Sequence, residues 1–190
     1  MSVTVHGIKY VVGNIFTDLP TTSPTKFIFH VCNDIGGWGS GFVKFLSQEW
    51  TEPEASYRKW HKEGYSNGKP FKIGQFDSTL VQKSIGSGLV GSIYVVNCIG
   101  QRSTISKPEC FVAENDVKRP LDYVKLASAM SELGENLRVG GKKYEIHCPL
   151  FGSGLAGGDW DIIEQLIIDA WVRQGIAVTV YQLEGQELRK

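Results

Sequence analysis

The 190-residue chain sets 20 Lys+Arg against 20 Asp+Glu, a formal charge of zero, so it offers no long-range field for a nucleic-acid backbone or an anionic membrane. Bulk nucleic-acid binding and membrane attachment are therefore not expected. With 42% apolar residues, and at a length that buries roughly 70% of the unfolded surface, one domain over residues 1–190 can build a core without disulfide or metal staples. No run of about 18 apolar residues is available to span a bilayer, and Met1-Ser2-Val3-Thr4-Val5-His6 lacks the charged-then-apolar layout of a secretory signal. A cytoplasmic protein is expected.

In chain order, apolar β-branched runs alternate with amphipathic segments, the pattern of an α/β layered domain. Val3–Gly13 reads as a strand or hairpin and Phe27–Asn33 as a short buried strand. Gly41–Trp50 and Pro53–Gly64 read as helices. The second opens with Thr51-Glu52-Pro53-Glu54, where proline suits the first turn and acids complement the helix dipole. Phe71–Val81 and Ser92–Ile99 read as strands around a Gly- and Ser-rich turn over Ser84–Gly91, and the polar stretch Gln101–Arg119 as a long loop. After Pro120 a helical spacing of apolar residues runs to Gly140-Gly141. Tyr144–Phe151 follows as a strand, Asp161–Gln174 as a helix, Ala177–Leu183 as a last strand and Glu184–Lys190 as a polar tail. About six strands and four helices result. Such alternation favours a largely parallel sheet covered on both faces, with ligands bound where loops leave the carboxyl ends of the strands.

The cysteines Cys32, Cys98, Cys110 and Cys148 fit neither a CxxC pair nor a secreted framework, and reduced thiols are expected. A zinc site built from His30, Cys32, His147 and Cys148 is disfavoured, because adjacent residues of a strand point to opposite faces. No metal and no cofactor is required.

Two glycine-rich loops leave strands at the expected edge. The first follows Phe27–Cys32 and reads Asn33-Asp34-Ile35-Gly36-Gly37-Trp38-Gly39-Ser40-Gly41; the second follows Ile146–Phe151 and reads Gly152-Ser153-Gly154-Leu155-Ala156-Gly157-Gly158-Asp159-Trp160. Glycines let backbone N–H groups approach an anion, and a following helix adds a favourable dipole. Each loop is otherwise a pair of tight turns. Together across one cleft they suit a diphosphate linked to two sugars, bound without net basic charge. Neither matches GxGxxG or the lysine-bearing P-loop, which weakens a Rossmann or kinase reading.

The run His30–Phe42, the second loop through Trp160, and Thr179-Val180-Tyr181-Gln182-Leu183 together resemble a macrodomain, more narrowly the small bacterial and phage members that process ADP-ribose 1''-phosphate. The likeness extends from Val11-Val12-Gly13-Asn14-Ile15 to Leu183. It implies a three-layer α/β/α fold with a six-stranded mixed sheet, a core over about residues 3–183, and an ADP-ribose cleft at the sheet's carboxyl edge. It assigns the adenine end to Gly13, Asn14 and Ile15. The distal ribose falls to Asn33 with Gly36, Gly37, Trp38, Gly39, Ser40 and Gly41, and the diphosphate to Gly152, Ser153, Gly154, Leu155 and Ala156. Tyr181 and Leu183 line the adenine side, unless Tyr181 is core. Many macrodomains carry aspartate where Asn14 stands, though its side-chain oxygen can still accept from an adenine amino group. The lysine-adduct glycohydrolases of the family are a poorer match: Ile93–Gln101 holds no lysine, and Ala156 stands where their aspartate falls.

Four residues are candidate catalytic groups. His30 either activates water near neutral pH or is a hydrogen-bonded core residue. Asn33 orients the ribose. Asp34 is a general base or caps its turn. Asp159 either caps the following helix or is freed for the cleft if Asp161 with Glu164 forms a capping box. Trp38 covers the ribose or fills a gap between loop and sheet, and His147 is structural. The expected reaction is removal of phosphate from ADP-ribose 1''-phosphate by a monomer; hydrolysis of ADP-ribosyl or O-acetyl-ADP-ribose esters, or ADP-ribose reading without turnover, are the alternatives.

Overall fold

The computed structural model describes residues 2–21, 24–82, 91–104, 120–140 and 142–185. The chain opens with β1 (Ser2–Val5) and β2 (Ile8–Val12), joined through His6 and Gly7, both at positive φ as a tight hairpin turn requires. A single turn of helix, α1 (Ile15–Asp18), leads to the long strand β3 (Thr25–Asn33). Two helices follow, α2 (Phe42–Glu49) and α3 (Glu52–Glu63), the latter carrying Pro53 in its first turn and ending at Gly64 in the left-handed region. A two-residue hairpin, β4 (Tyr65–Ser66) and β5 (Lys69–Pro70), precedes β6 (Phe76–Gln82) and β7 (Ile93–Gln101). The C-terminal part comprises α4 (Tyr123–Val139), β8 (Tyr144–Pro149), α5 (Trp160–Ala170), a 3-10 turn (Val172–Gln174) and β9 (Ala177–Gln182).

The main sheet has seven strands in the order β1-β2-β9-β8-β3-β7-β6. The five central strands run parallel, and β1 and β6 close the edges antiparallel. The expected sheet has one strand fewer because Val3–Gly13 resolves as a hairpin whose two arms both join it. Phe71–Val81 shortens to β6, since Lys72–Gln75 form a turn closed by the Gln75 N–H on the Lys72 carbonyl. The loops expected at Ser84–Gly91 and Gln101–Arg119 fall largely outside the described residues, as do Cys110 and most of the tail.

Residues paired across parallel strands share a face, so register assigns the layers. Ile28, His30 and Cys32 lie beside Val95, Asn97 and Ile99, under a layer of α1, α2 and α3 that buries Leu46, Tyr57 and Trp60. Phe29, Val96, Ile146, Cys148, Val178 and Val180 face the other way, into the larger core with α4 and α5. His147 pairs with Ile28 and Thr179 and so takes the α1 side, opposite Cys148, as the strand alternation requires. Among the described residues Cys32, Cys98 and Cys148 are buried free thiols; burial raises all three, Cys98 to about 12. At neutral pH they remain protonated and inert.

Candidate functional site

Five parallel strands deliver their carboxyl ends to one edge of the sheet, and both glycine-rich loops leave from that edge. The decisive contact lies between the two glycine loops. A methyl carbon built on Gly41 would sit 3.7 Å from Leu155 Cδ1, so the first loop's last glycine and the tip of the second loop face each other. Leu155 is about half exposed there, and Gly39, Ser40 and Gly41 are open to solvent.

The first loop is held by its own asparagine. Asn33 Oδ1 accepts the N–H groups of Ile35 (3.2 Å) and Gly37 (2.8 Å), and Nδ2 donates to the Gly37 carbonyl at 2.6 Å. The Tyr57 hydroxyl, rising from α3, donates to the Asn33 carbonyl at 2.6 Å. Burial pushes the Tyr57 phenol far above its ordinary range, so it stays a donor. The amide thus braces the loop through Oδ1 and one of its two N–H groups. Trp38 packs edge-on to His30 and against Tyr57, and donates its ring N–H to Ser47 Oγ at 2.8 Å. It fills the gap between loop and helices.

His30 lies beneath this layer, 2% exposed. Its Nε2 is 2.7 Å from Asn97 Oδ1, and Asn97 Nδ2 donates to the Pro53 carbonyl at 2.9 Å. That leaves Asn97 Oδ1 as an acceptor and fixes the proton on Nε2. Nδ1 then faces the Cys32 thiol at 3.8 Å. Burial lowers the imidazole to about 4, against a smaller opposing contribution from the Asn97 bond. A neutral ring with both nitrogens engaged has no lone pair open to water. Of the two readings of His30, this geometry is that of the hydrogen-bonded core residue, packed under Trp38 and Phe42.

Asp34 differs from the other three candidates. Its backbone N–H donates to the Gln101 carbonyl (3.0 Å), and its Oδ1 accepts the Ser103 N–H at 2.7 Å, which binds the ends of β3 and β7 together. The residue is partly exposed. Asp159, by contrast, is the N-cap of α5: its side chain accepts the Asp161 N–H at 2.9 Å, and its own N–H donates to the Tyr123 hydroxyl at 2.7 Å. It caps the helix, and Asp161 lies inside the helix. The two helix starts at this edge are thus unlike. Helix α2 begins at Gly41 (φ 71°, ψ −141°) without a side-chain cap, and the first-turn N–H groups of a helix need partners.

The second loop is built on close backbone approach. A side chain on Gly158 would meet the Gly152 carbonyl at 2.7 Å and Leu121 Cδ2 at 2.4 Å. Ser153 is buried, with its hydroxyl donating to the Leu150 carbonyl at 3.0 Å, and Ala156 is core, its carbonyl accepting the Leu121 N–H. At the far end of the edge, the Gly13 N–H donates to the Gln182 carbonyl at 2.9 Å. Asn14 caps α1 by accepting from the Phe16 N–H at 3.0 Å, while Asp18 folds back onto the Asn14 N–H at 2.8 Å. Asn14 and Leu183 are exposed at this end, whereas Ile15 is core. Tyr181 is core, the second of its two expected places. Its hydroxyl bonds to His147 Nδ1 at 3.1 Å on the sheet's α1 face, where the ring lines a hollow of about 300 Å³ with Lys9, Asp18 and Thr179.

Tyr57, Asn97, Ser103 and Tyr123 hold the site residues in place, and none was foreseen. The aromatic spacing of Tyr57 and Trp60 on α3 is the one local signal among them.

No protein-family model matches the chain. A macrodomain protein of solved structure from Streptomyces coelicolor is 34% identical over 92% of this chain and 98% of its own, with a TM-score of 0.67. The chain belongs to the macrodomain family. Its three layers and mixed sheet are those of a macrodomain, with seven strands in this member. Thermosipho africanus DarTG, solved in complex with ADP-ribose, shares the fold of this macrodomain at a TM-score of 0.71 and 15% identity, over 98% of this chain and 44% of that one. A curated relative, the ADP-ribose 1''-phosphate phosphatase of Lodderomyces elongisporus, is 21% identical over 163 residues, 84% of this macrodomain and 90% of the relative.

Proposed function

We propose that this macrodomain binds ADP-ribose derivatives along the carboxyl edge of its sheet and hydrolyses the phosphate ester of ADP-ribose 1''-phosphate. The observation that carries the reading is the apposition of Gly41 and Leu155 beside the uncapped start of α2. It brings main-chain donors and a helix dipole to one cleft in a chain with no net charge to offer a phosphate. The phosphatase relative and the ADP-ribose complex of the structural neighbour name the same ligand class.

In this reading the exposed amide of Asn14 and the side chain of Leu183 meet the adenine, the second loop's backbone takes the diphosphate, and the first loop with the α2 start takes the distal ribose and its phosphate. Water attacks phosphorus and Asp34 accepts its proton as the new P–O bond forms. The bond from phosphorus to the anomeric oxygen breaks, and that oxygen leaves as a hydroxyl after taking a proton from solvent. Backbone N–H groups directed at the phosphoryl oxygens stabilise the charge that builds there.

A second reading is a reader of ADP-ribose without turnover. It is favoured by the engagement of all four candidate catalytic residues, His30, Asn33, Asp34 and Asp159, in structural hydrogen bonds. The test is a calorimetric and phosphate-release panel with ADP-ribose, its 1''-phosphate, its O-acetyl ester and an ADP-ribosylated acidic peptide. Phosphate release lost in Asp34→Asn with ADP-ribose binding retained supports the phosphatase. Binding with every substrate left intact supports the reader. Release of ADP-ribose from the ester or the peptide, with the 1''-phosphate untouched, moves the reaction to an acyl ester. No binding to any of them removes the cleft.

A further inference from the structure

We propose that Ser103 is a positioning residue for Asp34, its left-handed backbone aiming the N–H that holds the carboxylate at the edge of the cleft. The proposal rests on the reading of Asp34 as the base. Ser103 stands two residues beyond the end of β7, 1% exposed, at φ +55°. A residue with a Cβ adopts that conformation at a cost, and it persists only where the surroundings over-determine it. Here they do. The Gln101 side-chain amide donates to the Ser103 carbonyl at 2.9 Å, and the preceding N–H, that of Arg102, donates to the Pro120 carbonyl at 2.7 Å. The Arg102 guanidinium is tied to Asp122 at the start of α4 at 2.9 Å.

The turn reverses the chain so that the Ser103 N–H points back to the β3 loop. The tripeptide Gln101–Ser103 thereby grips Asp34 at two atoms, its backbone N–H and its Oδ1. With Oδ1 held, the plane of the carboxylate is set and Oδ2 remains to take a proton. A side chain that resists positive φ loosens this grip on Asp34 while the Asn33–Gly37 bonds and the second loop keep their own partners, so it lowers the rate of the chemical step and leaves substrate binding nearly unchanged.

The experiment measures kcat and KM for phosphate release from ADP-ribose 1''-phosphate in Ser103→Gly, Ser103→Ala and Ser103→Val, beside the parent and Asp34→Asn. Expected is a fall in kcat from Gly through Ala to Val in the order of their resistance to the left-handed region. Val drops at least tenfold with KM within twofold of the parent, and Gly restores kcat to within threefold. If thermal melts show Ser103→Val unfolded, a threefold or larger loss of kcat in a folded Ser103→Ala carries the same test. A flat series, or a rise in KM with kcat unchanged, overturns the positioning role. When Asp34→Asn is inactive and the series is flat, the positioning role alone falls. When the parent is inert, or Asp34→Asn matches it, the reading of the base fails and takes this role with it.

Discussion

Asn33 and Gly37 clasp each other from both sides: the Gly37 N–H donates to Asn33 Oδ1 at 2.8 Å, and Asn33 Nδ2 donates to the Gly37 carbonyl at 2.6 Å. A glycine-rich segment loses more conformational freedom on folding than any other. The clasp supplies the order that the glycines lack, and it leaves the later residues, Gly39 to Gly41, at the surface, with Gly41 facing the second loop.

Replacing Asn33 by alanine removes both halves of the clasp and the bond from Ile35. Partly buried backbone groups left without partners cost about 1–3 kcal/mol each, less where water reaches them. We expect Asn33→Ala to lose about 2–3 kcal/mol in urea unfolding and at least tenfold in ADP-ribose affinity by calorimetry. Asn33→Asp keeps the acceptor for both N–H groups and should fall between the parent and the alanine variant. Parent-like stability in Asn33→Ala would return the amide to the ligand.

Gly41 joins the loop to α2 at φ 71° and ψ −141°, a combination that residues with a Cβ scarcely visit. Held in place, an alanine there costs about 1–3 kcal/mol. Relaxed, it swings the start of α2 away from Leu155. Either way Gly41→Ala should weaken ADP-ribose binding at least tenfold while the far-ultraviolet spectrum is kept. Unchanged affinity would mean that the ligand does not use this end of the cleft.

The sequence exposed the layers and the loops because both are local signals. Strand alternation separates His147 from Cys148, and glycines punctuate the carboxyl ends of β3 and β8. It did not expose which polar residues of the site are already spoken for. The partner that occupies His30 Nε2 is Asn97, on a neighbouring strand 67 positions away. Ser103 reaches Asp34 across 69 positions and Tyr123 reaches Asp159 across 36. A histidine in an apolar strand reads alike whether it faces water or a buried amide, and only the fold tells them apart. The short elements α1, β4 and β5 escaped for another reason: two to four residues carry no periodicity.

Asp159 separates capping from catalysis by experiment. As an N-cap its loss costs about 0.5–2 kcal/mol, and the Asp159 N–H bonds to Tyr123 whatever the side chain. Asp159→Ala should therefore lower the thermal midpoint by a few degrees and leave kcat for the 1''-phosphate within twofold. Asp159→Asn or Asp159→Ser, both good caps, should recover the midpoint. A loss of turnover beyond tenfold in all three variants, with stability kept in the last two, would restore Asp159 to the cleft.

Burial of His30 makes stability fall with acidity in a defined window. The folded-state value near 4 lies below the ordinary 6.5, so at pH above about 6.5 both folded and unfolded imidazoles are neutral and the packing is fully retained. Between those values the unfolded chain takes a proton that the folded chain refuses, and stability declines as the pH drops. At about 1.4 kcal/mol per pH unit, the loss from this residue approaches 3 kcal/mol by pH 4. His147 is lowered by burial too, partly offset by Glu145, and adds a decline of the same sign. Urea unfolding at pH 7.5, 6 and 5, above the range where most carboxylates titrate, should show a steady decrease in the parent. His30→Gln, whose amide can still donate to Asn97 Oδ1 but does not titrate, should lower stability at pH 7.5 and reduce the slope. A parent curve level from pH 7.5 to 5, or a slope unchanged by the substitution, would show that the His30 ring reaches water and revive it as a proton-transfer group.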